Sequence, residues 1–147
     1  MKRTFLIISL VLITLSFVNC SKSDSEAPVV QGINLEGTWG ITALAYVTQG
    51  ATQNVYADEI KNGQAVNDFF FMKDGKYKQI SNMSGTGTKE TYEGTWKITG
   101  TKLIITLFIN GMQADVDYTC EQKSELLILT RTSPDYSMSI VITFRKK

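Results

Sequence analysis

The sequence predicts an all-β domain, an antiparallel up-and-down meander that closes into a small barrel of about eight strands. Three observations carry this reading. Apolar and polar residues alternate with period two along most of the stretch from Thr38 to Phe144, as half-buried strands require. Short turn signals separate the alternating runs, chiefly Asp74-Gly75, Gly100-Thr101 and Asn110-Gly111. No long stretch carries a helical period. Tight turns force neighbouring strands to run antiparallel, and a long meander loses its exposed edges by closing on itself. A β-sandwich is the alternative; short sequential turns without a crossover connection favour the barrel.

Met1 to Asn19 reads as a targeting segment that precedes the fold. Lys2 and Arg3 form a positive head, and Phe5 to Val18 is an apolar run broken by Ser9, Thr14 and Ser16. That run is short for a membrane-spanning helix and matches a signal-peptide core. It ends at Asn19-Cys20-Ser21, which resembles a bacterial lipoprotein cleavage site, although Phe17, Val18 and Asn19 stand where that family usually has small residues. The resemblance implies cleavage before Cys20 and acylation of its thiol. An ordinary secretory signal containing a cysteine is the alternative. Ser21 to Pro28 is polar, and residues 20–34 read as anchor and flexible tether. Serine and acidic residues after the cysteine resemble lipoproteins of the Bacteroidetes type, which implies an outer-membrane protein facing the periplasm or the cell surface. Membrane affinity would come from the acyl chains, at about 0.8 kcal/mol per buried methylene.

The remaining residues, 35–147, form one expected domain. Thr38 to Val47 alternates with Trp39, Ile41, Ala43, Ala45 and Val47 on one face. Thr48 to Asn67 is irregular and reads as a long loop or lid, with a short strand at Asn54 to Ala57 or a helical turn near Asp58 to Lys61. Asp68 to Lys73 and Lys76 to Ile80 flank the Asp74-Gly75 turn. Met83 to Gly87 is a loop. Thr88 to Thr99 places Tyr92, Gly94, Trp96 and Ile98 on one face. Lys102 to Ile109 is a β-branched apolar run, and Met112 to Gln122 alternates most cleanly, with Met112, Ala114, Val116, Tyr118 and Cys120 opposite Gln113, Asp115, Asp117, Thr119 and Glu121. Glu125 to Thr132 and Tyr136 to Phe144 complete eight strands and a candidate ninth.

Composition narrows the function. The 147 residues hold no His, which excludes His-dependent triads, His-ligated zinc or haem and a His general base. Loss of Lys2 and Arg3 with the signal leaves 13 basic against 14 acidic residues, so charge gives no reason to expect nucleic acid. Once Cys20 is acylated, Cys120 has no intrachain partner, and its place in an alternating apolar set makes it a buried core residue. Asp115 and Asp117 share a face but belong to a wholly polar stripe, which reads as solvated surface. Ser84-Gly85-Thr86-Gly87 is followed by no helix start and lacks the basis for phosphate binding. The sequence implies no catalytic residue, no metal and no cofactor, and the chain is not expected to be an enzyme.

Glu36-Gly37-Thr38-Trp39 recurs as Glu93-Gly94-Thr95-Trp96, and the two copies hold both tryptophans of the chain. Gly37-Thr38-Trp39 at the first strand, Asp117-Tyr118 in a later one, and Arg145 (or Arg131) near the end resemble the lipocalin-like and wider calycin group. The resemblance spans roughly Leu35 to Arg145. It implies a barrel plugged by Trp39, a late Arg packed over that indole, and a small apolar or amphipathic ligand inside. Gly37, Trp39, Gly94, Trp96 and Arg145 are then structural. Phe69, Phe71, Tyr77, Tyr92, Leu107, Val116, Tyr118, Met138 and Ile140 are the candidate lining, with simple barrel filling as the competing reading. The second functional class is a scaffold or accessory subunit that meets an envelope protein partner through the long loop or a sheet edge. Because neighbours alternate, Phe70 must point away from Phe69 and Phe71, and the Thr48 to Asn67 segment is expected to cover it.

Overall fold

The computed structural model describes residues 32–83, 87–133, 135 and 137–147. The signal segment, Cys20 and most of the expected tether lie outside them, as do Ser84 to Thr86. Nine strands and one short helix follow in order: β1 (Gly37–Thr48), β2 (Ala51–Val55), α1 (Ala57–Lys61), β3 (Val66–Phe71), β4 (Lys76–Asn82), β5 (Glu90–Thr99), β6 (Lys102–Ile109), β7 (Met112–Lys123), β8 (Leu126–Ser133) and β9 (Met138–Lys146). All pairings are antiparallel. The order β1-β3-β4-β5-β6-β7-β8-β9 closes through β1–β9, so eight strands make a barrel and β2 is an added strand on β1.

The turns do what their residues allow. Gly75, Gly100 and Gly111 all have positive φ, and Asn110 joins Gly111 there at φ 50, the left-handed pair that a tight hairpin between twisted strands needs. At the β3–β4 turn the Asp74 carboxylate accepts the Lys76 N–H at 3.2 Å. Thr48 to Asn67 holds a helix at Ala57–Lys61, close to the expected turn, and also a strand at Ala51–Val55, which begins three residues ahead of the expected Asn54 to Ala57 and ends before Ala57.

β1 corrects the expected face. Its register against β9 slips between Ile41 and Ala43, so the phase flips at this bulge. Trp39 and Ile41 point inward before it. Beyond it Leu44, paired with Ile142, packs on the barrel core, while Ala43 is exposed and Ala45, on the opposite face, is buried outside that cluster. Neither Gly nor Pro marks the bulge in the sequence. β1 also divides its other edge. Gly37 to Gly40 pairs with β3, whereas Leu44 to Thr48 pairs with β2, so the wall between β2 and β3 is not closed by a ladder. Phe70 faces outward between Thr38 and Lys78 and is half-buried.

The core gathers at one end. Leu35, Trp39, Phe69, Phe71, Tyr77, Leu103, Ile105, Cys120, Leu127, Leu129, Ile142 and Phe144 are buried together. The compact unit begins at Gly32, and Ile33 packs on this cluster, so the fold reaches slightly ahead of Leu35.

Candidate functional site

Cross-strand partners share a face, so the buried cluster fixes the inward phase of every strand. Followed from that cluster toward the other end, the inward residues change character. At the closed end Trp39 is 0% exposed, and Phe69, Phe71 and Tyr77 are each 2% exposed. Their rings interlock. Phe69 stands 4.5 Å from Phe144 and 5.3 Å from Tyr77, and Phe71 meets Trp96 edge-on at 5.4 Å. The Trp39 indole N–H donates to the Leu35 carbonyl at 2.7 Å. The Lys146 ammonium lies 5.5 Å from the Trp39 ring. Arg145 therefore does not take the role expected of it: it faces outward opposite Gly40 and Leu126, one residue out of phase with Phe144.

Phe69, Phe71 and Tyr77 are thus a packed floor rather than accessible lining, because their rings fill the narrow end against Trp39 and Phe144. The other candidates divide from them. Tyr92, Leu107, Val116, Tyr118, Met138 and Ile140 are in the inward phase and only half-buried. Ala114, paired with Leu107 on the inward face, is exposed. These side chains point into the barrel and are partly reached by solvent, and Leu107, Tyr118 and Ile140 also pack against the buried cluster. β6, β7 and β9 supply most of these apolar side chains.

The facing wall is polar. Asn67 and Gln79 share the inward phase with Phe69 and Tyr77. The Tyr77 hydroxyl donates to Gln79 Oε1 at 3.1 Å, and Gln79 Nε2 donates to Asn67 Oδ1 at 2.7 Å. This chain crosses the barrel wall just above the floor, where unpaired polar groups would be costly. Burial drives the Tyr77 phenol far above its ordinary pKa, and the nearby Tyr118 phenol adds to that. Burial also raises Tyr118, against the opposing pull of Arg131. Neither phenol ionises at neutral pH, so both serve as neutral hydrogen-bonding groups. Arg131 follows Leu127 and Leu129 in the inward phase of β8, faces Ile140 on β9 and is exposed.

At the rim, Ser81 and Glu90 form the last inward pair of β4 and β5. With Tyr56, Asn82, Met83 and Thr88 they line a cavity of about 310 Å³. The Tyr92 hydroxyl donates to the Glu90 carboxylate there. The opposite surface of β7 behaves as solvated face: Asp117 pairs with Lys102 at 2.8 Å, and Asp115 accepts the Thr106 hydroxyl at 2.7 Å.

Sequence reading passed over Asn67, Gln79, Ala114 and Arg131 as lining. The signal was present in their phase, since Gln79 alternates with Tyr77 and Arg131 with Leu129. Selecting large apolar residues hid it. Cys120 is buried, and its thiol is pushed up to about 12 by burial, so it is a core side chain and no nucleophile.

A family model described as a lipocalin-like domain matches residues 35–129, well over half of the chain. No curated protein matches. Among solved structures, the fold is similar to that of an uncharacterized protein from Bacteroides eggerthii DSM 20697, with 17% identity, a TM-score of 0.49, and coverage of 78% of this chain and 100% of that one. It is also similar to wild-type fluorescent protein UnaG, with 13% identity, a TM-score of 0.41, and coverage of 77% and 97%. The chain belongs to the lipocalin-like family.

Proposed function

We propose that this lipocalin-like chain is a non-enzymatic binding protein that holds a small apolar or amphipathic molecule in the open half of its barrel. One observation carries the reading: inward-facing side chains pass from fully buried at the Trp39 end to half-buried or exposed at Val116, Ala114, Met138 and Ile140. A barrel that served only as a scaffold would gain by filling this space. The lipocalin-like barrel is compatible with such a role. The proposal includes acylation at Cys20 and attachment to the outer membrane, supported by the signal core, the cysteine that follows it and the polar stretch after it.

Native mass spectrometry of the purified chain after incubation with lipids and other hydrophobic compounds tests the binding reading. A bound mass that is lost in Ala114→Trp, which fills the cup, is the expected result. Absence of any bound compound across the panel would sink it. Incorporation of labelled palmitate into the chain, lost in Cys20→Ala, tests the anchor separately.

The second reading, a scaffold for an envelope partner, has one feature in its favour. β2 stands at the end of the strand order, with no partner beyond β1 among the described residues. Crosslinking from β2 to a single envelope protein, with no small molecule bound, is the outcome that would favour it.

A further inference from the structure

We infer that the rim cavity at Ser81 and Glu90 is a site for a small organic ammonium compound, whose charged group is received by Asn82 Oδ1 and the Glu90 carboxylate. The inference goes beyond the binding reading above, because this cavity of about 310 Å³ shares no lining residue with the apolar set Leu107, Val116, Met138 and Ile140. Asn82 closes β4 opposite Val66 and is 8% exposed. Its Nδ2 donates to the Gln64 carbonyl at 3.5 Å, whereas its Oδ1 is buried and meets no hydrogen-bond donor among the described residues. A buried carbonyl oxygen in that state is costly and calls for a donor. Across the same strand pair, Glu90 opens β5 opposite Ser81 and brings a carboxylate to the same lining. That carboxylate accepts the Tyr92 hydroxyl, which leaves further acceptor sites on its two oxygens.

The lining is therefore rich in acceptors and carries one negative charge. No basic side chain belongs to it among the described residues; Lys89 lies between Thr88 and Glu90 in sequence but does not line the cavity. An alkyl ammonium is a compact cation with three donors, enough for the amide oxygen, the carboxylate and one of the hydroxyls of Ser81 and Thr88. The organic part of the molecule meets Met83 and Tyr56. Tyr56 is 42% exposed and held at φ 56, uncommon for a residue other than glycine, and an aromatic ring attracts cations. A divalent metal ion fits this set less well, since such ions are held by several oxygens with more than one carboxylate among them. A neutral polyol would meet the amide and leave the charge unmatched. A water molecule would answer the amide alone.

A matched pair of probes tests the ligand class. Benzylamine and benzyl alcohol share one ring and differ by the ammonium. Both are titrated into the purified chain, into Glu90→Gln and into Asn82→Ala, followed by amide NMR, with circular dichroism to confirm the fold of each. Benzylamine is expected to bind more tightly than the alcohol and to shift Ser81, Asn82, Thr88 and Glu90. Glu90→Gln weakens benzylamine by about tenfold and leaves the alcohol unchanged. Asn82→Ala weakens both, since both donate to Oδ1. Glu90→Gln keeps an acceptor for Tyr92 at an exposed position, so it decides the matter even where Asn82→Ala fails to fold. Equal affinity for the two probes, no shift with either, or an unchanged benzylamine affinity in Glu90→Gln overturns the inference. Displacement of benzylamine by calcium would make the cavity a metal site and overturn it as well. Shifts confined to Leu107, Val116 and Ile140 overturn this site and leave the binding reading standing.

Discussion

The closed and open halves of the barrel are made from the same strands yet are built on different terms. In the closed half the side chains of the core cluster are almost wholly buried, and the two indoles tie down its lower edge. Trp39 donates to the Leu35 carbonyl, and Trp96 donates to the Met72 carbonyl at 3.0 Å in the β3–β4 turn. In the open half, β1 leaves β3 to pair with β2, the inward residues mix apolar and polar side chains, and solvent reaches them. On the binding reading proposed above, the difference separates stability from binding along the strand axis. The floor holds the barrel shut, and the upper walls would be the part that meets the proposed ligand.

Substitutions should therefore separate the halves by size of effect. Trp39→Ala removes a fully buried indole and its hydrogen bond, and about 3–5 kcal/mol of stability should be lost in urea unfolding. Gly94→Ala comes next. A Cβ there would run into the Thr106 carbonyl of β6, where the two backbones approach closely, and overpacking of this kind costs about 1–3 kcal/mol or more. A smaller effect follows pH. Cys120 has a folded pKa of about 12 against an ordinary 9.0, so its contribution is intact below pH 9 and is lost as pH rises toward 12. Unfolding at pH 10 should show a loss of about 1 kcal/mol from this thiol relative to pH 8. The smallest change should come from the rim. Phe108 and Met112 are 56% and 68% exposed, and Phe108→Ser or Met112→Ser should alter stability by no more than about 0.5 kcal/mol. Equal losses at Trp39 and Met112 would erase the distinction between the halves.

The hairpins and the face of β7 were legible in the sequence because their determinants are local. Asp74-Gly75 and Asn110-Gly111 announced their hairpins, and the alternation through Met112 to Cys120 gave the inward face of β7 directly. The two Glu-Gly-Thr-Trp copies were legible as strand features but not as different ones. Gly37 takes φ 123 at the start of β1, while Gly94 lies mid-strand and is required by the approach of β6. The same tetrapeptide meets two requirements because its neighbours differ. What escaped the sequence depends on pairing at a distance. The bulge in β1 is set by its register with β9, so Ala43, Ala45 and Val47 looked inward when Leu44 was. The Tyr77–Gln79–Asn67 chain needs β3 and β4 in register before its donors meet. Lys146 rather than Arg145 reaches Trp39 because the last strand runs two residues beyond Phe144 in the same phase.

The most direct test of the account is an amide and methyl NMR titration with N-phenyl-1-naphthylamine. The account predicts shifts at Leu107, Ala114, Val116 and Ile140 in the open half, with Leu103, Leu127 and Phe144 in the floor nearly unmoved. Shifts confined to the outer face of β7 around Asp115 and Asp117, or to the exposed hairpin tip at Phe108, would contradict it.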